Sequence, residues 1–169
     1  MALRTIIHLP DPRLRQPTES VTVFDAELQA LIDDMFETMY SVKGIGLAAP
    51  QIAVSKKLAI IDVSDDRSTT LCLINPTLVE KQGEALLKEG CLSIPGVYDE
   101  VPRALWVKLS AQDRDGQPYE LEAEGLLAHC IQHEIDHLNG RLFVDYLSPL
   151  KRELARKKVS KTKRRQGGA

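Results

Sequence analysis

Apolar side chains at Leu28, Leu31, Ile32, Met35, Phe36 and Met39 follow the i, i+3, i+4, i+7 spacing of one helical face. Asp25 stands where an N-cap belongs. Packing accounts for every apolar residue in this helix, so no chemistry is expected of it. Strand-like runs follow at 58–63 and 69–74, and a third run at 78–88 alternates poorly. The stretch 105–111 alternates clearly, with Leu105, Val107, Leu109 and Ala111 on one face. Asp115-Gly116 reads as a turn, and Tyr119, Leu121 and Ala123 alternate on the return strand, which predicts a hairpin. A second helix is predicted over 124–139, with Leu127, Ile131, Ile135 and Leu138 on one face and Gly140 as its C′ residue. Ser148 and Pro149 open a last helix as N-cap and first residue. Strands and helices without regular β-α alternation point to an α+β fold.

The 169 residues suit one domain. No apolar run approaches the roughly 18 residues of a membrane span. The first eight residues contain neither the apolar core nor the cleavage site of a signal peptide. A cytoplasmic protein is therefore expected. Cys72, Cys91 and Cys130 are too few for a disulfide framework, so each is a packed thiol, a metal ligand or a nucleophile.

The net charge of −2 conceals an asymmetry. Nine of the 22 basic residues, but only one of the 24 acidic ones, fall in 151–169, leaving residues 1–150 at −10. The expectation is one domain with its body in 1–150 and a basic C-terminal helix or tail in 151–169. Such a tail fits either an anionic partner such as nucleic acid or a solvated helix end.

Within the second helix, His133-Glu134-Ile135-Asp136-His137 has the form H-E-x-x-H. Residues four apart lie on one helical face. Two imidazoles so placed can grip one metal ion, and the adjacent glutamate can take a proton from water. At about 100° per residue the two histidines lie within ~40° of each other and roughly 130° from the apolar stripe, so one flank can enter the core while another faces a cleft. His129 and His133 share the same spacing, but Cys130 follows His129 and supplies no general base. Glu134 selects the later pair and leaves His129 as a rim residue.

A catalytic site of this kind needs a third protein ligand. Cys130 lies on the right face but roughly 7.5 Å away along the helix axis, at 1.5 Å rise per residue, which its side chain does not span. Cys72 sits in an apolar strand and reads as a packed thiol. Cys91 follows Gly90, which permits close backbone approach, and is the best thiolate candidate among the three.

Three segments together resemble the peptide deformylase family of bacteria. They are Gly44-Ile45-Gly46-Leu47-Ala48-Ala49-Pro50-Gln51, then Glu89-Gly90-Cys91-Leu92-Ser93, then Gln132-His133-Glu134-Ile135-Asp136-His137. The resemblance covers nearly the whole chain, with the catalytic domain in 1–150. It implies small antiparallel sheets packed around a central metal-binding helix, with N- and C-terminal helices. It implies removal of the formyl group from the N-terminal formyl-methionine of new proteins, with release of formate. It assigns Cys91, His133 and His137 to one divalent metal, with Fe²⁺ native and Zn²⁺, Ni²⁺ or Co²⁺ as alternatives. Glu134 becomes the acid/base, while the Gln51 amide and the Leu92 N–H meet the developing oxyanion. Glu89 and Arg103 are the pair that supports this loop.

Substrate backbone would run beside Ile45 and Gly46 and near Gly90. Leu87, Leu126, His129, Cys130 and His133 are candidates for the methionine pocket, and each serves equally well as core. Tyr98 stands where some relatives place a basic residue. The expected partners are formyl-methionine nascent chains and, through the basic helix, ribosomal RNA; no membrane partner is expected, and the protein is expected to be a monomer. Two rival readings are a zinc endopeptidase built on the same helix and an RNA-binding module driven by the tail. No downstream third His or Glu stands out for the former, and the latter does not exclude the enzyme.

Overall fold

Asp25 caps helix α1 (Ala26–Ser41) by accepting the Leu28 N–H at 3.0 Å, which pairs one of the donors that a helix start leaves free. The predicted stripe is buried: Leu28, Leu31, Ile32, Met35 and Met39 pack with Leu47, Leu58 and Ile60. Seven strands follow: β1 (Gly46–Ala48), β2 (Leu58–Ile61), β3 (Leu71–Gln82), β4 (Ala85–Cys91), β5 (Ile94–Arg103), β6 (Trp106–Gln112) and β7 (Pro118–Glu124). Five of them form an antiparallel sheet in the order β1-β2-β3-β6-β7, and β4 pairs with β5 in a second antiparallel sheet. The computed structural model describes residues 2–167, with side chains through Lys161.

Helix α2 (Gly125–Leu138) lies against the larger sheet. Ala128, Ile131, Ile135 and Leu138 pack on Ala48, Ile61, Leu73, Val107 and Leu109, so the predicted apolar flank does enter the core. Helix α3 (Pro149–Gly167) begins at the predicted residue, where Ser148 Oγ accepts the Lys151 N–H at 3.2 Å. Ala155 and Val159 of this helix are buried, among Ile94, Val97, Val101 and Phe143. The basic residues beyond Lys161 lie outside the described side chains. Among the described residues no helix is long and apolar enough to cross a membrane.

The strands differ from the sequence reading in three places, the first being β1, which forms where no element is predicted. The 78–88 run is divided: β3 continues to Gln82 and β4 starts at Ala85. Its alternation is poor because the β3–β6 register shifts between Leu78 and Glu80, which resets which face a side chain takes, and because the chain turns between Gln82 and Ala85. Strand β5 has no counterpart in the predicted elements, since Pro95, Gly96 and Pro102 interrupt any strand pattern. A two-stranded sheet tolerates them because one edge of β5 needs no ladder donors.

Candidate metal centre

The flank of α2 opposite its core stripe carries His133, Glu134 and His137, all buried, at 8%, 3% and 1% exposure. Cys91 closes β4 and reaches the same point. Its Sγ lies 3.3 Å from His137 Nε2, which is 3.1 Å from His133 Nε2. All three donor atoms fall within 4.8 Å of one another. An ion with bonds of about 2.0–2.1 Å to nitrogen and about 2.3 Å to sulfur holds tetrahedral donors roughly 3.4–3.6 Å apart, so this donor set fits a single divalent cation. Two further buried atoms here have no protein partner, Glu134 Oε1 and His137 Nδ1. Cys72 and Cys130 stand outside the cluster. Burial pushes their thiols up to about 11 and about 12, which keeps them protonated at neutral pH.

The electrostatics agree with a cation site. Burial alone would lower the His133 pKa, but the Glu134 charge, Cys91 and Glu89 outweigh it and hold the imidazole well above its ordinary value. Burial and the His133 charge keep His137 well below its ordinary value, hence neutral. Burial pushes the Glu134 carboxyl up to about 7, against the pull of His133 and Arg103.

Glu89, on β4, anchors His133 from behind. Its Oε1 accepts from His133 Nδ1, which leaves Nε2 to face the cluster. Arg103 donates to both carboxylate oxygens, from Nη2 at 2.6 Å and Nε at 2.9 Å, and its Nη1 reaches Asp136 Oδ2 at 2.7 Å. Burial alone would raise the Glu89 pKa, but its His129, His133 and Arg103 donors hold it well below the carboxylate range. Sequence reasoning pairs Glu89 with Arg103 but misses Asp136, which also accepts from the Tyr146 hydroxyl at 2.8 Å. The available signal is an acid inside the H-E-x-x-H segment, on a helix otherwise committed to core and cleft.

Gln51 is buried, and its amide has one orientation. Oε1 accepts the Ala48 N–H at 2.9 Å, so Nε2 points to Cys91 Sγ at 3.5 Å and Ser93 Oγ at 3.1 Å. Ser93, fully buried, is a second residue to which sequence reasoning gives no role.

A cleft of about 530 Å³ opens over these groups. Lys43, Gly44, Ile45 and Gly46 form one wall, at β1, the edge strand of the larger sheet. Lys88, Gly90, Leu92 and Tyr98 form the facing wall, and α2 contributes Leu126, His129, Cys130, His133 and Glu134. A Cβ on Gly90 would stand 2.5 Å from the Tyr98 ring, so the glycine is needed there for close approach. Leu87, expected in the methionine pocket, is not among the lining residues. Its side chain is half-buried on β4 beside Lys88, which does line the cleft. His129, expected at the rim or in the methionine pocket, also donates from Nε2 to Glu89 Oε2 at 2.5 Å.

A sequence profile of the family described as polypeptide deformylase matches residues 3–153. A peptide deformylase of Chromobacterium violaceum is 56% identical over 161 residues, which is 95% of this chain and 96% of its own length. The crystal structure of a peptide deformylase from Legionella pneumophila is similar with a TM-score of 0.96 and 55% identity, covering 98% of each chain. That of a peptide deformylase from Ehrlichia chaffeensis in complex with actinonin gives 0.93 and 41%, covering 97% of this chain and 99% of that one.

Proposed function

The chain belongs to the peptide deformylase family, and from that premise we propose which of its residues carry out the reaction. The enzyme is a metal-dependent hydrolase that removes the N-formyl group from nascent peptides and releases formate. The observation that carries the residue assignment is the convergence of Cys91 Sγ, His133 Nε2 and His137 Nε2 within 4.8 Å, with buried Glu134 beside them. These three side chains would hold the ion. When bound, the ion supplies Lewis acidity, which makes water acidic near neutral pH and polarises a carbonyl oxygen.

The other steps belong to the chain's own groups. Glu134 takes a proton from the attacking water as the new C–O bond forms at the formyl carbon. It then passes that proton to the departing amine as the C–N bond breaks. Burial raises the proton affinity of this carboxyl, which favours a group that must accept and then donate a proton. The Gln51 Nε2–H and the Leu92 N–H stabilise the negative charge that gathers on the formyl oxygen. The substrate backbone lies between the edge strands β1 and β4, where an extended peptide can add to the open edge of β1 beside Ile45 and Gly46. Leu126, His129, Cys130 and His133 wall the pocket for the methionine side chain. Formate release from a formyl-Met peptide, compared between the wild type and Glu134→Ala, tests these roles; normal turnover by the variant would contradict them.

Fe²⁺ is the proposed native ion, and Zn²⁺, Ni²⁺ and Co²⁺ can take the same two imidazoles and one thiolate. The exposed basic side chains of α3, Lys151, Arg152, Arg156, Lys157 and Lys158, support docking on ribosomal RNA. Binding to ribosomes that weakens steeply with salt, as phosphate contacts require, is the expected outcome; salt-insensitive binding, or none, would contradict it. The proposed working form is a monomer acting in the cytoplasm.

A further inference from the structure

Glu89 is 5% exposed, yet its carboxylate is paired on both oxygens. Oε1 takes Arg103 Nη2 and His133 Nδ1, and Oε2 takes Arg103 Nε and His129 Nε2. Arg103 is itself braced by Asp136. The fourth donor comes from a side chain that also walls the cleft, between Leu126 and Cys130. An apolar residue at position 129 would serve as wall but would leave Oε2 with the Arg103 donor alone. The imidazole stands one helical turn before His133 on α2, so both rings approach the same carboxylate from one flank.

We propose that His129 is a positioning residue for the metal centre: its Nε2–H holds the Glu89 carboxylate against the His133 Nδ1–H, and so keeps His133 Nε2 turned toward the ion. This role rests on the reading of His133 as a ligand. It gives a cleft-wall residue a second function that no apolar substitute can perform. Partners that orient a ligating histidine typically matter by about 10–100-fold in metal affinity.

The test loads wild type, His129→Leu, His129→Gln, Glu89→Gln and His133→Ala with Co²⁺ and measures the ion's rate of loss to a chelator. In parallel, the ring nitrogens of His133 are followed by NMR in the metal-free proteins, and melting temperatures are recorded. His129→Leu keeps a wall of similar bulk and loses the donor. It is expected to release Co²⁺ about 10–100-fold faster, with an altered His133 nitrogen signature and a melting transition close to wild type. Glu89→Gln, which weakens the acceptor for both histidines, is expected to lose the ion at least as fast. His129→Gln restores a donor and is expected to recover most of the retention, whatever happens to KM for the formyl peptide. Wild-type retention by His129→Leu, alongside fast loss from His133→Ala, would overturn the role of His129 alone. Wild-type retention by His133→Ala would overturn the ligand assignment and this role with it.

Discussion

Gly46 faces Glu134 so closely that a Cβ at position 46 would stand 2.5 Å from Glu134 Oε2. The carboxylate is 3% exposed, so it has little room to retreat. Gly46→Ala is therefore expected to displace the proposed proton-transfer group while leaving the proposed ligands in place. General acid-base catalysis contributes about 10²–10⁴-fold, so kcat/KM should fall by at least about 10²-fold. Steady-state kinetics with metal analysis of the same sample checks this; unchanged kcat/KM would show that the carboxylate has another productive position.

Glu134→Gln removes the proposed proton carrier and keeps the shape. A fall in kcat of about 10²–10⁴-fold is expected, with metal content unchanged. The same variant tests the burial of the carboxyl. Between 4.5 and about 7 the folded, metal-free protein keeps a proton that the unfolded chain has released. This group's contribution to stability therefore declines as pH rises through that window, by roughly 3 kcal/mol in all. Metal-free Glu134→Gln should melt above metal-free wild type at pH 8, and the gap should close toward pH 5. A gap that does not vary with pH would contradict the raised pKa.

Metal uptake should be proton-linked. His133 holds its proton well above the ordinary imidazole range in the metal-free protein, and an ion must displace it. At least one proton should leave per ion bound, and affinity should rise with pH, about tenfold per unit for each proton released. Calorimetry in buffers of different ionisation enthalpy measures the count. Zero proton release would contradict the arrangement.

The Gln51 amide is fixed by Ala48 so that its NH₂ faces Cys91 and Ser93. Gln51→Leu should cost about 3 kcal/mol of transition-state stabilisation, a drop of about 10²-fold in kcat, with a smaller change in KM. A rise in KM with unchanged kcat would instead assign Gln51 to ground-state binding.

Helix α2 is legible in the sequence because one segment carries two periodic patterns, an apolar stripe for the core and H-E-x-x-H on another flank. The α1 stripe and the β6–β7 hairpin are legible for the same reason: their periods run unbroken. Strand β5 is not, because its prolines and glycine are permitted only by an edge position, and that is a tertiary fact. One donor to Glu89 is hidden for a related reason. Arg103 is matched to Glu89 through the family resemblance, but His129 lies 40 residues from Glu89, and only the packing of α2 against β4 brings its imidazole to the carboxylate.

The proposed dependence of deformylation on one ion held by Cys91, His133 and His137 is tested most directly by titrating Fe²⁺ into anaerobic, metal-free protein while following formate release from a formyl-Met peptide. Activity should rise linearly to one equivalent per chain in the wild type and stay near zero throughout for Cys91→Ala. Full formate release before any metal is added, or an identical titration for Cys91→Ala, would contradict the account.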